Sequence, residues 1–299
     1  YFTNGDTARC PHDDNVHHVP AEPRPRPTLA DVDPERLYYD DPHGLGGLKY
    51  PFYFELEPYE PDPAHYWPDY VLRTIDLVRA RVGDRVSVHG EIFSPFTQMM
   101  ELFGYEQGLM NLLDDPDKCR AILAAYTDGA AELGCLQAQR GIDAVLISSA
   151  FAGGGFISPK QYEEFVLPYE AEVVARIKQH GVPVYTHTCG DIGNRLELMA
   201  DTGIDGIDTL DPPPLGSVDL EEAKKRIGDR LFFKGNIDSV NTLLRKSAEE
   251  VRQDALWRLE VGSPGGGYIL SSACSVSPRV PPENLAVLVE VSRQFGKPE

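Results

Sequence analysis

The sequence predicts an α/β fold of the (β/α)8 TIM-barrel class with an irregular N-terminal segment. Three observations point there. From Tyr70 onward, short β-rich runs alternate with stretches of helical periodicity. The β-rich runs are apolar at consecutive positions, as strands buried on both faces of a parallel sheet are. Six such units in a chain of 299 residues suit a barrel better than a doubly wound sheet. No G-x-G-x-x-G follows a strand at the spacing of a dinucleotide site, and the glycine triplets at 153–155 and 265–267 lack the lysine of a phosphate loop, so both read as turns. Residues 1–69 are expected to supply early barrel strands or a pocket cap. Residues 70–299 are expected to be the main part of a single catalytic domain.

The elements follow in order. Residues 10–36 (CPHDDNVHHVPAEPRPRPTLADVDPER) are rich in Pro, His and Asp, which predicts loop or extended backbone. KYPFYFEL (49–56) is the candidate early strand, and EPYEPDPAHYWPDY, broken by four prolines, reads as surface connection. VLRTIDLVRARVG (71–83) is a helix with a glycine stop, and RVSVHG (85–90) a strand. Helices are expected over 96–113 and 117–140, the second closed by Gly141, then a strand at 143–149. Ser158 and Pro159 open a long helix as N-cap and first residue. Strands at 183–189, 204–210, 230–237 and 268–274 alternate with helices over 191–203, 219–228, 239–262 and 282–296.

Composition narrows the function. The chain carries 28 Lys and Arg against 47 Asp and Glu, a formal charge of −19, which argues against a nucleic-acid partner and against an anionic membrane surface. No stretch approaches the ~20 apolar residues of a membrane span. The opening YFTNGD has neither the basic nor the apolar region of a secretory signal. Five cysteines, an odd number in a long chain, suit a reducing cytoplasm. An acidic cytoplasmic enzyme is the class left standing.

In barrels, chemistry sits where strands run into the loops that follow them. Those strand ends hold His89 and Glu91, Ser148 and Ser149, His187 and Cys189, Asp208 and Asp211, Lys234 and Asn236, and Cys274. Residues two apart on a strand share a side, so His187 and Cys189 can both face the barrel mouth, and Cys274 ends another strand. An imidazole and two thiolates make a three-ligand zinc set with a position open for substrate. The alternative is two small core fillers and a hydrogen-bonded core histidine. Cys119 and Cys135 lie in helices without metal-like spacing and read as core. Cys10, His12, His17 and His18 form a second cluster in an irregular segment.

Several longer motifs add to this. GEIFSPFTQMMELFG (90–104), RGIDAVLIS (140–148), GGGFISPKQYEEFVLPYE (153–170), HTCGDIG (187–193), KGNID (234–238) and SSACSVSPRVPPENL (271–285) occur in an order and spacing that chance rarely gives. With them the chain, from about Tyr70 to Gly296, resembles the uroporphyrinogen decarboxylase superfamily, and more narrowly its corrinoid-dependent zinc methyltransferase branch. The decarboxylases carry an N-terminal Arg-Gln-Ala-Gly-Arg segment, which does not occur here, and a His between glycines where this chain has Ala273-Cys274-Ser275.

The resemblance to the methyltransferase branch implies a (β/α)8 barrel and a zinc ion held by His187, Cys189 and Cys274. It also implies a carboxylate after the next strand as fourth ligand: Asp211, placed before three prolines, is preferred over Asp208. The implied reaction moves a methyl group between a corrinoid (cobalamin) and a zinc-activated methyl ether, methylamine or thiol, O-demethylation included. The chain has no cobalamin-binding D-x-H-x-x-G, so the corrinoid would arrive on a separate corrinoid protein. Glu91 and His89, opening a segment matched in the family, are candidate substrate contacts. Asn236 is either a hydrogen-bonder in the pocket or a loop brace. Tyr185 and Lys234 lie on strands whose faces the pattern leaves open, and aromatic-rich 50–67 suits a pocket cap or ordinary core. A metal-independent decarboxylase and a barrel with a structural zinc and a binding role are the competing expectations. The oligomeric state is left open, with a homodimer expected by analogy with other barrels only.

Overall fold

A computed structural model describes residues 7–9, 17–19, 26–37, 67 and 69–295. Two short strands, β1 (Thr7–Arg9) and β2 (His17–Val19), pair antiparallel. From Arg73 the order is α1 (Arg73–Val82), β3 (His89–Phe93), α2 (Pro95–Phe103), α3 (Tyr105–Asp114), α4 (Pro116–Gln139), β4 (Ala144–Ser148), α5 (Pro159–Phe165) and α6 (Leu167–Lys178). It continues with β5 (Val184–His187), α7 (Leu196–Asp201), β6 (Gly206–Thr209), α8 (Leu220–Ile227) and β7 (Phe232–Ile237). A π-helical turn (Ser239–Leu244), α9 (Ala248–Gly262), β8 (Tyr268–Ser272) and α10 (Pro282–Gln294) complete it. The fold is α/β, and all six strand–helix units expected from Tyr70 onward are present. The strand expected at 49–56, Cys10, His12 and all of the cap expected at 50–67 except Trp67 lie outside the described residues.

The differences from expectation have local causes. The first strand was expected at 85–90 but runs over His89–Phe93, because Gly83–Arg85 winds into a 3-10 turn. The helix expected over 96–113 is split at Gly104, whose φ of 79° suits glycine and ends α2. The long helix from Ser158 breaks between α5 and α6, where Pro168 has no N–H to carry the ladder on. The stretch 239–262 divides as well: Asp238 accepts from the Val240 and Asn241 N–H groups, and Ser247 with Glu250 forms a capping box that restarts the helix.

Two compact units are distinguished, one within Tyr1–Ile147 and Pro168–Pro183, the other Ser148–Leu167 with Val184–Glu299. In the first, β3 turns Gly90 and Ile92 toward α4, where Gly134 admits the Ile177 side chain of α6. Phe96, Met99, Ile122, Leu123, Val173 and Ile177 fill that core. The Ser94 hydroxyl caps α2 by accepting the Thr97 N–H at 3.1 Å, with Pro95 at the first helical position. Ser94→Ala is therefore expected to cost about 1 kcal/mol, read as a lower urea midpoint at unchanged slope.

In the second unit β5, β6, β7 and β8 form a parallel sheet in that order. Its register places His187 beside Asp208, Asp208 beside Lys234, and Asn236 beside Ser271. Behind the sheet Ile237, Leu243, Val251, Ala255, Leu259, Val287 and Val291 pack as one apolar cluster joining the π-turn, α9 and α10. The exit of β6 carries Thr209 and Leu210 at φ 88° and 56°. Positive φ in two consecutive residues with side chains costs roughly 1–3 kcal/mol each, and such strain concentrates at functional sites.

Candidate metal centre

Two strand ends of the second unit deliver the site. His187 closes β5, and Cys189 lies two residues on, on the same side. Cys274 follows β8 by two residues and is tied to the π-turn: Ser239 Oγ donates to the Cys274 carbonyl at 3.1 Å, and the Cys274 N–H donates to Ser239 Oγ at 3.3 Å. His187 Nε2 lies 3.2 Å from Cys189 Sγ, and the two sulfurs are 3.7 Å apart. One donor atom from each of the three residues lies within 4.8 Å of the others.

These separations can be tested against a metal ion. Around tetrahedral zinc, with Zn–S about 2.3 Å and Zn–N about 2.0–2.1 Å, two sulfurs stand about 3.8 Å apart and a sulfur and a nitrogen about 3.5 Å. The observed 3.7 and 3.2 Å lie close to both. The donor set fits, and it gathers where β5 and β8 run into the loops that follow them.

Electrostatics couple the three groups. Hydrogen bonding with Cys274, then burial, then the Cys274 charge hold the Cys189 thiol far above its usual range. Hydrogen bonds from Cys189 and His187 hold Cys274 down as the thiolate of the pair, against burial. Burial disfavours the His187 imidazolium, but its contacts with Asp208 and Cys274 outweigh that and push it up to about 9. A metal would take over the role of these protons, because ligands bind it deprotonated.

The two candidate carboxylates are placed differently. Asp208 Oδ2 lies 2.8 Å from Lys234 Nζ and 3.4 Å from His187 Nδ1, and its Oδ1 accepts the Thr209 N–H at 2.9 Å. Burial acts to raise its pKa, and the His187 and Lys234 contacts bring it below the usual range. Asp211 is buried, with Oδ2 accepting the Gly190 N–H at 2.7 Å. Burial holds its carboxyl above the usual range against that hydrogen bond, and the Cys274 charge adds to the effect.

Asn236 is buried and its carboxamide braces the frame: Nδ2 donates to the Leu210 carbonyl at 2.9 Å, and Oδ1 accepts from Arg258. Of its two expected roles, these are the hydrogen bonds of the brace. His89 and Glu91 belong to the other unit, exposed on β3. His89 Nε2 lies 2.7 Å from Ser87 Oγ, and the Glu91 carbonyl accepts from Gln137 Nε2 at 3.0 Å. Cys119 is fully buried, its thiol pushed up to about 11 by burial, as suits a core filler. Lys234, left without a face in the sequence, points to Asp208. Also undetected were Gly153 and Gly216, which let loops close on Cys189 and Asp211. A Cβ on Gly153 would sit 2.5 Å from the Cys189 carbonyl oxygen, and one on Gly216 2.3 Å from the Asp211 carbonyl oxygen.

The uroporphyrinogen decarboxylase (URO-D) family profile matches residues 55–295. A uroporphyrinogen decarboxylase of Thioalkalivibrio sulfidiphilus is 31% identical over 76% of this chain and 65% of its own length. The methylcobamide:CoM methyltransferase MtaA of Methanosarcina barkeri is 28% identical over 75% and 63%. The chain thus spans just under two thirds of these relatives. Among solved structures, a methyltransferase from Methanosarcina mazei superposes with a TM-score of 0.67 at 23% identity, covering 76% of this chain and 64% of that one, which shows a shared fold.

Proposed function

Because the chain belongs to the uroporphyrinogen decarboxylase family, we propose that it is a zinc-dependent, corrinoid-linked methyltransferase. It would move a methyl group between a corrinoid on a separate protein and a small methyl ether, methylamine or thiol. The observation that carries this reading is the convergence of an imidazole nitrogen of His187 with Cys189 Sγ and Cys274 Sγ within 4.8 Å. A decarboxylase acting without metal has no use for two thiols and an imidazole gathered in this way.

Zinc held there would act as a Lewis acid, lowering the pKa of a thiol or polarising an ether oxygen or amine nitrogen. The residues set its character. Cys189 and Cys274 would bring two negative charges and His187 a neutral nitrogen, so three donors leave a formally neutral centre. Asp211, the buried carboxylate anchored to the Gly190 N–H, would supply the fourth donor in this reading. Asn236 and Arg258 hold the strained Leu210 backbone between Asp208 and Asp211. A cytoplasmic setting agrees with two thiols kept reduced as ligands. No helix among the described residues is long and apolar enough to cross a membrane.

The test is a substrate panel. The purified protein is mixed with methylcobalamin and thiols, or with cob(I)alamin and methoxyarenes or methylamines, and the cobalt absorption is followed. Uroporphyrinogen decarboxylation is assayed in parallel. Methyl transfer with at least one class and no decarboxylation is expected. Decarboxylation without methyl transfer to or from cobalamin would overturn the proposal.

A further inference from the structure

We propose that Lys234 and Asp208 are positioning residues of the metal centre. Lys234 pins Asp208 on the Nδ1 side of His187, so that Asp208 orients the imidazole and stays out of the ligand set. This rests on the reading of His187, Cys189 and Cys274 as zinc ligands.

The sheet itself builds the row. His187 on β5, Asp208 on β6 and Lys234 on β7 are successive register partners, and register partners in parallel strands share a face. The side chains meet along that row. Asp208 Oδ2 receives Lys234 Nζ at 2.8 Å and lies 3.4 Å from His187 Nδ1, long for a hydrogen bond and within ion-pair range. Asp208 Oδ1 is taken by the Thr209 N–H, so both oxygens are engaged by the chain. The opposite ring nitrogen, Nε2, faces Cys189 Sγ at 3.2 Å.

Two consequences follow from elementary chemistry. A carboxylate at Nδ1 favours the tautomer with its proton there, which leaves the Nε2 lone pair for a metal. A second carboxylate beside two thiolates would be repelled by them, and it is buried, so it needs a cation. Lys234 is that cation. Together Asp208 and Lys234 add no net charge, so the centre keeps the charge set by its ligands. The same pairing separates the roles of the two aspartates. Asp208 serves the histidine, and the fourth position falls to Asp211 or substrate.

The experiment uses the full chain, with Asp208→Asn, Lys234→Met and Lys234→Arg variants. Zinc affinity is measured by chelator competition, and the ligand set by the visible spectrum of the cobalt(II)-substituted protein, neither of which depends on turnover. Asp208→Asn is expected to weaken zinc binding about 10–100-fold, the usual effect of losing such an outer partner, while the cobalt ligand-field bands stay at their wild-type positions. Lys234→Met is expected to shift those bands, because Asp208 is released toward the metal, and Lys234→Arg to restore them. Lys234 is partly exposed, so its variants carry the test should Asp208→Asn not fold. Shifted bands in Asp208→Asn would make Asp208 a ligand and overturn the proposal. So would wild-type affinity in Asp208→Asn, or wild-type bands in Lys234→Met. Those results leave the metal reading standing, whereas a wild-type chain that binds neither zinc nor cobalt removes both.

Discussion

Cys274→Ala is expected to lose bound zinc and methyl transfer together while keeping its fold. Cys274 lies in the loop after β8, half-buried, and is not part of the apolar cluster of Ile237, Leu243 and Val251, so the thermal midpoint of the metal-free protein should move little. The metal has more to lose. Without Cys274 one thiolate, one imidazole and the Asp211 carboxylate hold zinc far more weakly than the full set, so under mild chelation metal content should fall from near one per chain to near zero. A bound Lewis acid contributes several kcal/mol to such reactions. At about 1.36 kcal/mol per tenfold, methyl transfer should fall at least about 100-fold. Cys119→Ala is the control, since that thiol is buried in α4 and belongs to no donor cluster among the described residues, and it should leave zinc content at the wild-type level. A decarboxylase of the tetrapyrrole type would keep its activity in Cys274→Ala. That outcome would exclude the methyltransferase reading.

The second large effect is expected at a glycine. A Cβ on Gly153 would stand 2.5 Å from the carbonyl oxygen of Cys189, and that oxygen cannot move without carrying a proposed metal ligand with it. The Gly154 N–H also donates to the Asp191 carbonyl at 2.6 Å, so the loop is held against the HTCGD turn. Overpacking of this kind costs roughly 1–3 kcal/mol. Gly153→Ala is therefore expected to lower the urea midpoint by that amount and to weaken zinc binding. Gly155→Ala, two residues on, meets nothing within 4 Å and should match wild type in both measurements. Equal behaviour of the two variants would mean that the close approach at Gly153 does not position Cys189.

Much of this was legible from residues alone, for identifiable reasons. Strands buried on both faces leave continuous apolar runs such as DAVLIS and PVYTH, and these stood out between amphipathic helices. His187 and Cys189 were legible as a pair because a strand returns every second residue to one side, and Cys274 because it closes a strand of its own. The Asp208–Lys234 pairing was not. It depends on which residue of one strand stands beside which residue of the next, and sequence spacing within a strand carries no such register. Asn236 kept two expected roles for the same reason, since its partners Leu210 and Arg258 lie 26 and 22 residues away in the chain. The displaced first strand reflects a stretch, 85–93, that is β-rich throughout. Its register was decided by burial of Gly90 and Ile92 against α4 rather than by propensity.

The most direct test of the central claim is a zinc titration. Protein stripped of metal under reducing conditions is supplied with increasing zinc, and methyl transfer from methylcobalamin to a thiol, or from a methoxyarene or methylamine to cob(I)alamin, is read at each step. Activity should rise from background and level off at one zinc per chain in the wild type, with no rise in Cys274→Ala. Activity already full in the stripped protein, or indifferent to zinc at every ratio, would contradict a metal centre built from His187, Cys189 and Cys274.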